Sequence, residues 1–221
     1  SFGRVLVMDS PTARQLGDYN WASVFWHQLA HPFHLAATDN RVPRWFSEGL
    51  AVHEQRQARE GWGHQPSLSF LQALAQKRLK QVSELNDGFM RPDYPEQVIH
   101  SYYQASLVFQ IIEERWGFNA IRQMLDGYRR GETTESLFDT VLKTPLEEFD
   151  EDFDSYLEDR FSDPLSAVIQ LEDRPGANAE LQELEEYVRV HPGDLLTQLR
   201  LGVLLLRERE FDQAESHFEA A

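Results

Sequence analysis

Residues 27–31 of this 221-residue chain read His-Gln-Leu-Ala-His. On a helix, two histidines four apart project from one face about one turn apart, so His27 and His31 could grip one metal ion. Metal-assisted hydrolysis then needs a base beside the ligands to take a proton from bound water. The position placed for that task follows the first histidine. Here it holds Gln28, an amide that can hydrogen-bond but takes no proton at neutral pH. The spacing predicts a metal cage kept and a general base lost. A hydrolytic site of this kind has three protein ligands and an open position. The third ligand should come from a second helix, and Glu48 is the candidate, seventeen residues after His31. Its neighbours Trp45, Phe46, Leu50 and Val52 make that helix largely apolar, where a carboxylate is costly unless paired or metal-bound. His34 reads as a supporting or surface residue, and Asp39, Glu54 and His64 as possible outer partners of the ligands.

The elements that must position these groups are mostly helical in pattern. Gly3 to Asp9 reads as one short strand closed by a turn signal at Asp9-Ser10-Pro11, with residues 12–20 a polar loop. A helix is expected from Trp21 to about Leu35, kinked or ended by Pro32. A second is expected from Pro43 or Arg44 through Glu60, broken by Gly61-Trp62-Gly63-His64. Further helical segments fall near 67–80, 95–116, 118–129, 134–142 and 145–161, each bounded by Gly, Pro, Asn, Asp, Ser or Thr. Ser162-Asp163-Pro164 and Asp173-Arg174-Pro175-Gly176 read as linker. The start at Ser1, without Met, reads as a piece of a longer chain.

Composition narrows the partners. The chain carries 37 acidic residues against 21 Lys and Arg, a formal net charge of −16. This argues against nucleic acid and against an anionic membrane surface, which both need basic patches. Residues 147–163 alone hold nine acids and one base, Arg160, the pattern of a solvated helix face. With no cysteine there is no disulfide framework, no thiolate metal site and no thiol nucleophile. No apolar run is long enough to insert directly into a membrane.

Two blocks carry a resemblance. Asn20-Trp21-Ala22-Ser23-Val24-Phe25-Trp26-His27-Gln28-Leu29-Ala30-His31, followed by Asn40 to Ala51 with Trp45-Phe46-Ser47-Glu48-Gly49-Leu50, resembles the bacterial MA-like gluzincin metallopeptidases. These are thermolysin-like zinc enzymes with a His-Glu-x-x-His helix and a downstream Glu. The resemblance implies Zn2+ as cofactor, His27, His31 and Glu48 as its ligands, and a peptide or protein as substrate. It also implies a bacterial envelope or exported location. A third block, His100 to Leu107, resembles the family helix that carries a Tyr before a Gln-Ala pair. Tyr102 aligns with that Tyr, which could donate to a developing oxyanion, with Tyr103 next to it. A packed aromatic is the other reading. Three positions depart from the pattern: Gln28 where Glu is required, Pro32 directly after the second histidine, and His53 where an aromatic is more usual.

Residues 195–221 resemble one tetratricopeptide repeat, with Leu201-Gly202, Leu205, Phe211, Ala214, Phe218 and Ala221 at its spacings. Residues 161–194 read as a degenerate earlier repeat matched mainly at Leu184. Such repeats bind protein partners. The expected fold is therefore mainly α: a thermolysin-like gluzincin catalytic core over residues 1–160 with a residual N-terminal β-strand, then tetratricopeptide-type helical hairpins over 161–221. The implied function is a zinc-dependent metallopeptidase, inactive as written. Two origins give the same letters: a deliberate Glu-to-Gln replacement, or a natural pseudopeptidase that binds peptides or proteins without cutting them. Retention of all three ligands favours the first.

Overall fold

The computed structural model describes residues 6–12, 19–172, 174–175 and 179–220. The chain divides into two compact units, Ser1–Leu165 and Ser166–Ala221. Among the described residues all regular structure is helical. The first half of the strand expected over Gly3–Asp9 lies outside the described residues. Leu6 to Ser10, which are described, carry no strand. A lone strand has no ladder partner to hold it, and none is present among the described residues.

In the first unit, α1 (Trp21–Ala37) starts where Asn20 accepts a hydrogen bond from the Ser23 amide at 3.1 Å. It runs through Pro32 rather than ending there. Proline at 32 forfeits only its own amide bond, the one owed to the Gln28 carbonyl. Packing of α1 on α2 (Arg44–Ala58) maintains the rest. The chain turns between them on Asp39 and Asn40, both with positive φ. These are residue types that tolerate the left-handed region. After α2, a loop through Gly61 and Gly63 leads to α3 (Leu68–Ala75), which stops short of residue 80 because Lys77 takes φ 52°.

A 3₁₀ turn (Val82–Glu84) and the short α4 (Leu85–Met90) follow. Then comes α5 (Gln97–Trp116), whose Tyr103, Leu107, Val108, Phe109, Ile111 and Ile112 form the spine of the core. Gly49 of α2 lies against it: a Cβ there would sit 2.6 Å from the Ala105 Cβ and 2.9 Å from the Phe109 ring. Glycine therefore sets how closely α2, and the carboxylate of Glu48, approach α5. The helices α6 (Phe118–Arg130) and α7 (Thr134–Leu137), a π-type turn (Phe138–Leu142) and α8 (Leu146–Arg160) close the core with Ile121, Met124, Tyr128, Phe138, Phe149 and Phe153.

The acidic stretch on α8 is largely exposed, but Asp150 is buried. It accepts from the Val82 amide at 2.5 Å and the Ser83 hydroxyl at 2.7 Å, capping the 3₁₀ turn. Charge counting gives no sign of this, because the amides it satisfies lie far away in sequence. α9 (Ser162–Glu172) crosses the boundary between the units.

In the second unit, α10 (Leu181–Val190), α11 (Leu195–Glu208) and α12 (Phe211–Glu219) pack about Leu184, Val188, Leu201, Leu205 and Ala214. A Cβ on Gly202 would meet the Phe218 ring at 2.7 Å, so α11 and α12 cross closely there. No helix among the described residues is long and apolar enough to cross a membrane.

Candidate metal centre

α1 presents His27, His31 and His34 on successive turns toward α2, which returns Ser47, Glu48 and Gln55. His27 Nε2 and His31 Nε2 lie 3.2 Å apart. Glu48 Oε2 lies 3.3 Å from the first and 3.4 Å from the second. Donors held at zinc-type distances of about 2.0–2.1 Å in a tetrahedron stand about 3.3–3.4 Å from one another. The three atoms are thus spaced as one face of a tetrahedron about a small cation would be, and this group could hold a metal ion.

The outer contacts fix which ring nitrogens carry lone pairs. Gln55 Nε2 donates to the Ser23 carbonyl and hydroxyl, both at 2.8 Å. Its Oε1 is thereby turned to accept from His27 Nδ1–H at 3.1 Å. His27 Nε2 is left as an electron-pair donor facing the centre. His31 Nδ1 and His34 Nδ1 both lie within hydrogen-bond distance of Ser47 Oγ, at 3.0 and 3.3 Å. With Ser47 accepting from His31 Nδ1–H, His31 Nε2 is likewise free to offer its lone pair to the centre. Two imidazole lone pairs and a carboxylate oxygen converge on one point, an arrangement that repels itself unless a cation or proton occupies it. Burial alone would raise the Glu48 carboxyl, but its interactions with the facing His27 and His31 rings outweigh burial and hold the group well below the usual carboxylate range in the metal-free chain. Its other oxygen faces Arg44 Nε at 3.5 Å.

A cleft of about 380 Å³ opens beside His27, lined by Ser23, Val24, Gln55, Gly63, His64 and Tyr102. Tyr102 is half-buried, its ring 6.2 Å from that of His27 and stacked on His64 at 4.9 Å. Burial, and then the Glu48 charge, push the Tyr102 phenol up, so it remains a hydrogen-bond donor at neutral pH. His64 reaches it because Gly63, at φ 74°, lays the loop on α2: a Cβ there would be 3.2 Å from the Val52 carbonyl. Burial, then His27, lowers the His64 pKa, which favours neutral imidazole. Gln28 is half-buried on α1 and hydrogen-bonds with no described residue, one helical turn from Val24 on the cleft wall.

The remaining candidates separate. Asp39 pairs with Arg129 at 3.4 Å, away from the donors. Tyr103 is buried in the core. His53 is buried and bonded to Glu113 at 2.6 Å. Glu54 lines a different cavity. Ser47 and Gln55, given no role in the sequence reading, are the residues that contact the outer nitrogens of the two histidines. Gln55 lies seven after Glu48, on the same face of α2, the one signal that could have found it.

His34 carries a pH consequence. Burial, then His31 and His27, lower its pKa from 6.5 to about 3. The folded chain therefore keeps it neutral while the unfolded chain protonates below 6.5. Between those values the unfolded state binds more protons, so stability falls as pH falls. From pH 7 to pH 5 the metal-free protein should lose about 2 kcal/mol through His34, at about 1.36 kcal/mol per unit. Denaturant unfolding at the two pH values should show His34→Phe with a correspondingly smaller loss; an unchanged loss would refute this.

No family model, no curated protein and no solved structure matches this chain.

Proposed function

We propose that this chain is a zinc metallopeptidase of the gluzincin type whose hydrolysis is disabled at Gln28, with a tetratricopeptide-like hairpin behind the peptidase unit that docks a protein partner. The observation that carries the reading is the triangle of His27, His31 and Glu48 donors, with the outer nitrogens of the two histidines held by Gln55 and Ser47. Zinc bound there supplies Lewis acidity to a scissile carbonyl and acidity to a water. The chain's own residues do the rest. The cleft beside His27 takes the peptide. A carboxylate at position 28 would accept the water proton and hand it to the leaving amine. The Tyr102 phenol donates to the oxyanion that develops on the carbonyl. Retention of the ligand set and its outer partners around Gln28 favours a replacement of one catalytic group over general decay of the site.

The test is metal content by elemental analysis. One zinc per chain is expected, lost in His27→Ala while the far-ultraviolet circular dichroism stays helical. No zinc in a chain never exposed to chelator would overturn the reading.

A further inference from the structure

A second cavity, of about 510 Å³, lies between α1, α2 and α6 and shares no lining residue with the cleft beside His27. Its volume is in the range of small-molecule sites, about 300–1,000 Å³. Trp26 and Phe33 of α1 and Phe118 of α6 supply aromatic walls, and Leu29, Leu50 and Leu125 supply aliphatic ones.

Two polar groups interrupt that lining, and each has hydrogen-bonding capacity that no described residue fills. Glu54 receives no hydrogen bond or ion pair from any described residue. Burial pushes its carboxyl up, opposed by His53 and reinforced by Glu113. His34 is buried, and the nitrogen opposite the one Ser47 holds, Nε2, has no hydrogen-bond partner; it is an N–H donor when Ser47 donates to Nδ1. A half-buried carboxylate with no paired cation and a buried ring nitrogen with no partner, placed on one apolar cavity, together favour a ligand that answers both. Aromatic faces attract cations through their quadrupole, and a carboxylate adds direct charge. An anionic ligand would be repelled by Glu54, and a neutral apolar one would bury it further. The chain's net charge of −16 favours approach of a cation from solution.

We infer that this cavity binds an organic ammonium ion with an apolar body and a hydrogen-bond acceptor, its charge against Glu54 and the aromatic walls and its acceptor toward His34 Nε2. This site is separate from the proposed peptidase chemistry and does not depend on it.

The experiment is isothermal titration of the whole chain with choline and with its neutral carbon isostere, 3,3-dimethylbutanol. Saturable choline binding is expected, about tenfold or more tighter than the isostere. Glu54→Gln should abolish that preference, and Ala30→Trp, which fills the cavity, should abolish binding. Should Ala30→Trp fail to fold, Phe118→Ala is expected to weaken choline by about tenfold instead. Equal affinity for the two probes, no binding up to about 10 mM, or choline binding unaffected by both Glu54→Gln and the cavity variant would overturn the proposal.

Discussion

Gln28→Glu is expected to raise zinc-dependent peptide hydrolysis by about 10²–10⁴-fold, the usual contribution of a positioned general base. The substitution exchanges an amide for a nearly isosteric carboxylate. Gln28 bonds to no described residue, so nothing in the fold must be broken to accommodate it. Stability and zinc stoichiometry should therefore stay within the scatter of a surface substitution, about 0.5 kcal/mol. The restored activity should disappear on chelation and return with zinc. Adding Tyr102→Phe to the Gln28→Glu variant should lower kcat by about 10²–10³-fold with little change in KM if, as proposed, the phenol donates to charge that exists only in the transition state. A chain that binds one zinc, carries Glu at 28 and still cuts nothing in a broad peptide library would sink the peptidase reading. The binding-module reading would then stand in its place.

Legibility in the sequence followed a physical rule: what depends on one helix's own period can be read, and what depends on how two helices cross cannot. His27 and His31 meet because a four-residue step returns to the same face, and Glu48 lies on the next helix in the chain. Ser47 and Gln55 orient the ligands only because α2 crosses α1 at this angle and offset, which no local pattern encodes. Pro32 was misleading for a related reason. The proline rule weighs one lost amide bond, while the tertiary packing of α1 on α2 decides whether the helix continues. His34 shows both sides. Its spacing placed it near the metal face, but its burial, its bond to Ser47 and its unpartnered Nε2 come from the neighbouring helix. The short strand expected over Gly3–Asp9 required a partner that the local sequence could not supply.

Gly49→Val should be the most destructive single substitution near the metal centre, although it changes no ligand. The exchange gains a little: glycine inside a helix costs about 0.8–1.0 kcal/mol relative to alanine, and part of that would be recovered. The loss is larger. The first added carbon would lie 2.6 Å from the Ala105 Cβ and 3.0 Å from the Ala105 backbone carbon. Neither can rotate away as the end of a flexible side chain can. Helices α2 and α5 must separate, opening the contacts of Phe46, Trp45 and Phe109 that pack around the crossing. Overpacking of this kind costs about 1–3 kcal/mol and more where backbone is the obstacle. We expect roughly 3 kcal/mol or more, which for a chain of this size lowers the melting temperature by about 10 °C. Glu48 moves with Gly49, so the carboxylate should leave the histidines by a fraction of an ångström, and zinc affinity should fall about 10–100-fold, as when a ligand's support is removed. Gly49→Ala paired with Ala105→Gly removes the nearest clash and should recover much of both losses. Thermal unfolding and competitive zinc titration of the two variants beside the parent chain decide the matter: full zinc affinity in Gly49→Val would mean that the crossing of α2 and α5 does not position Glu48.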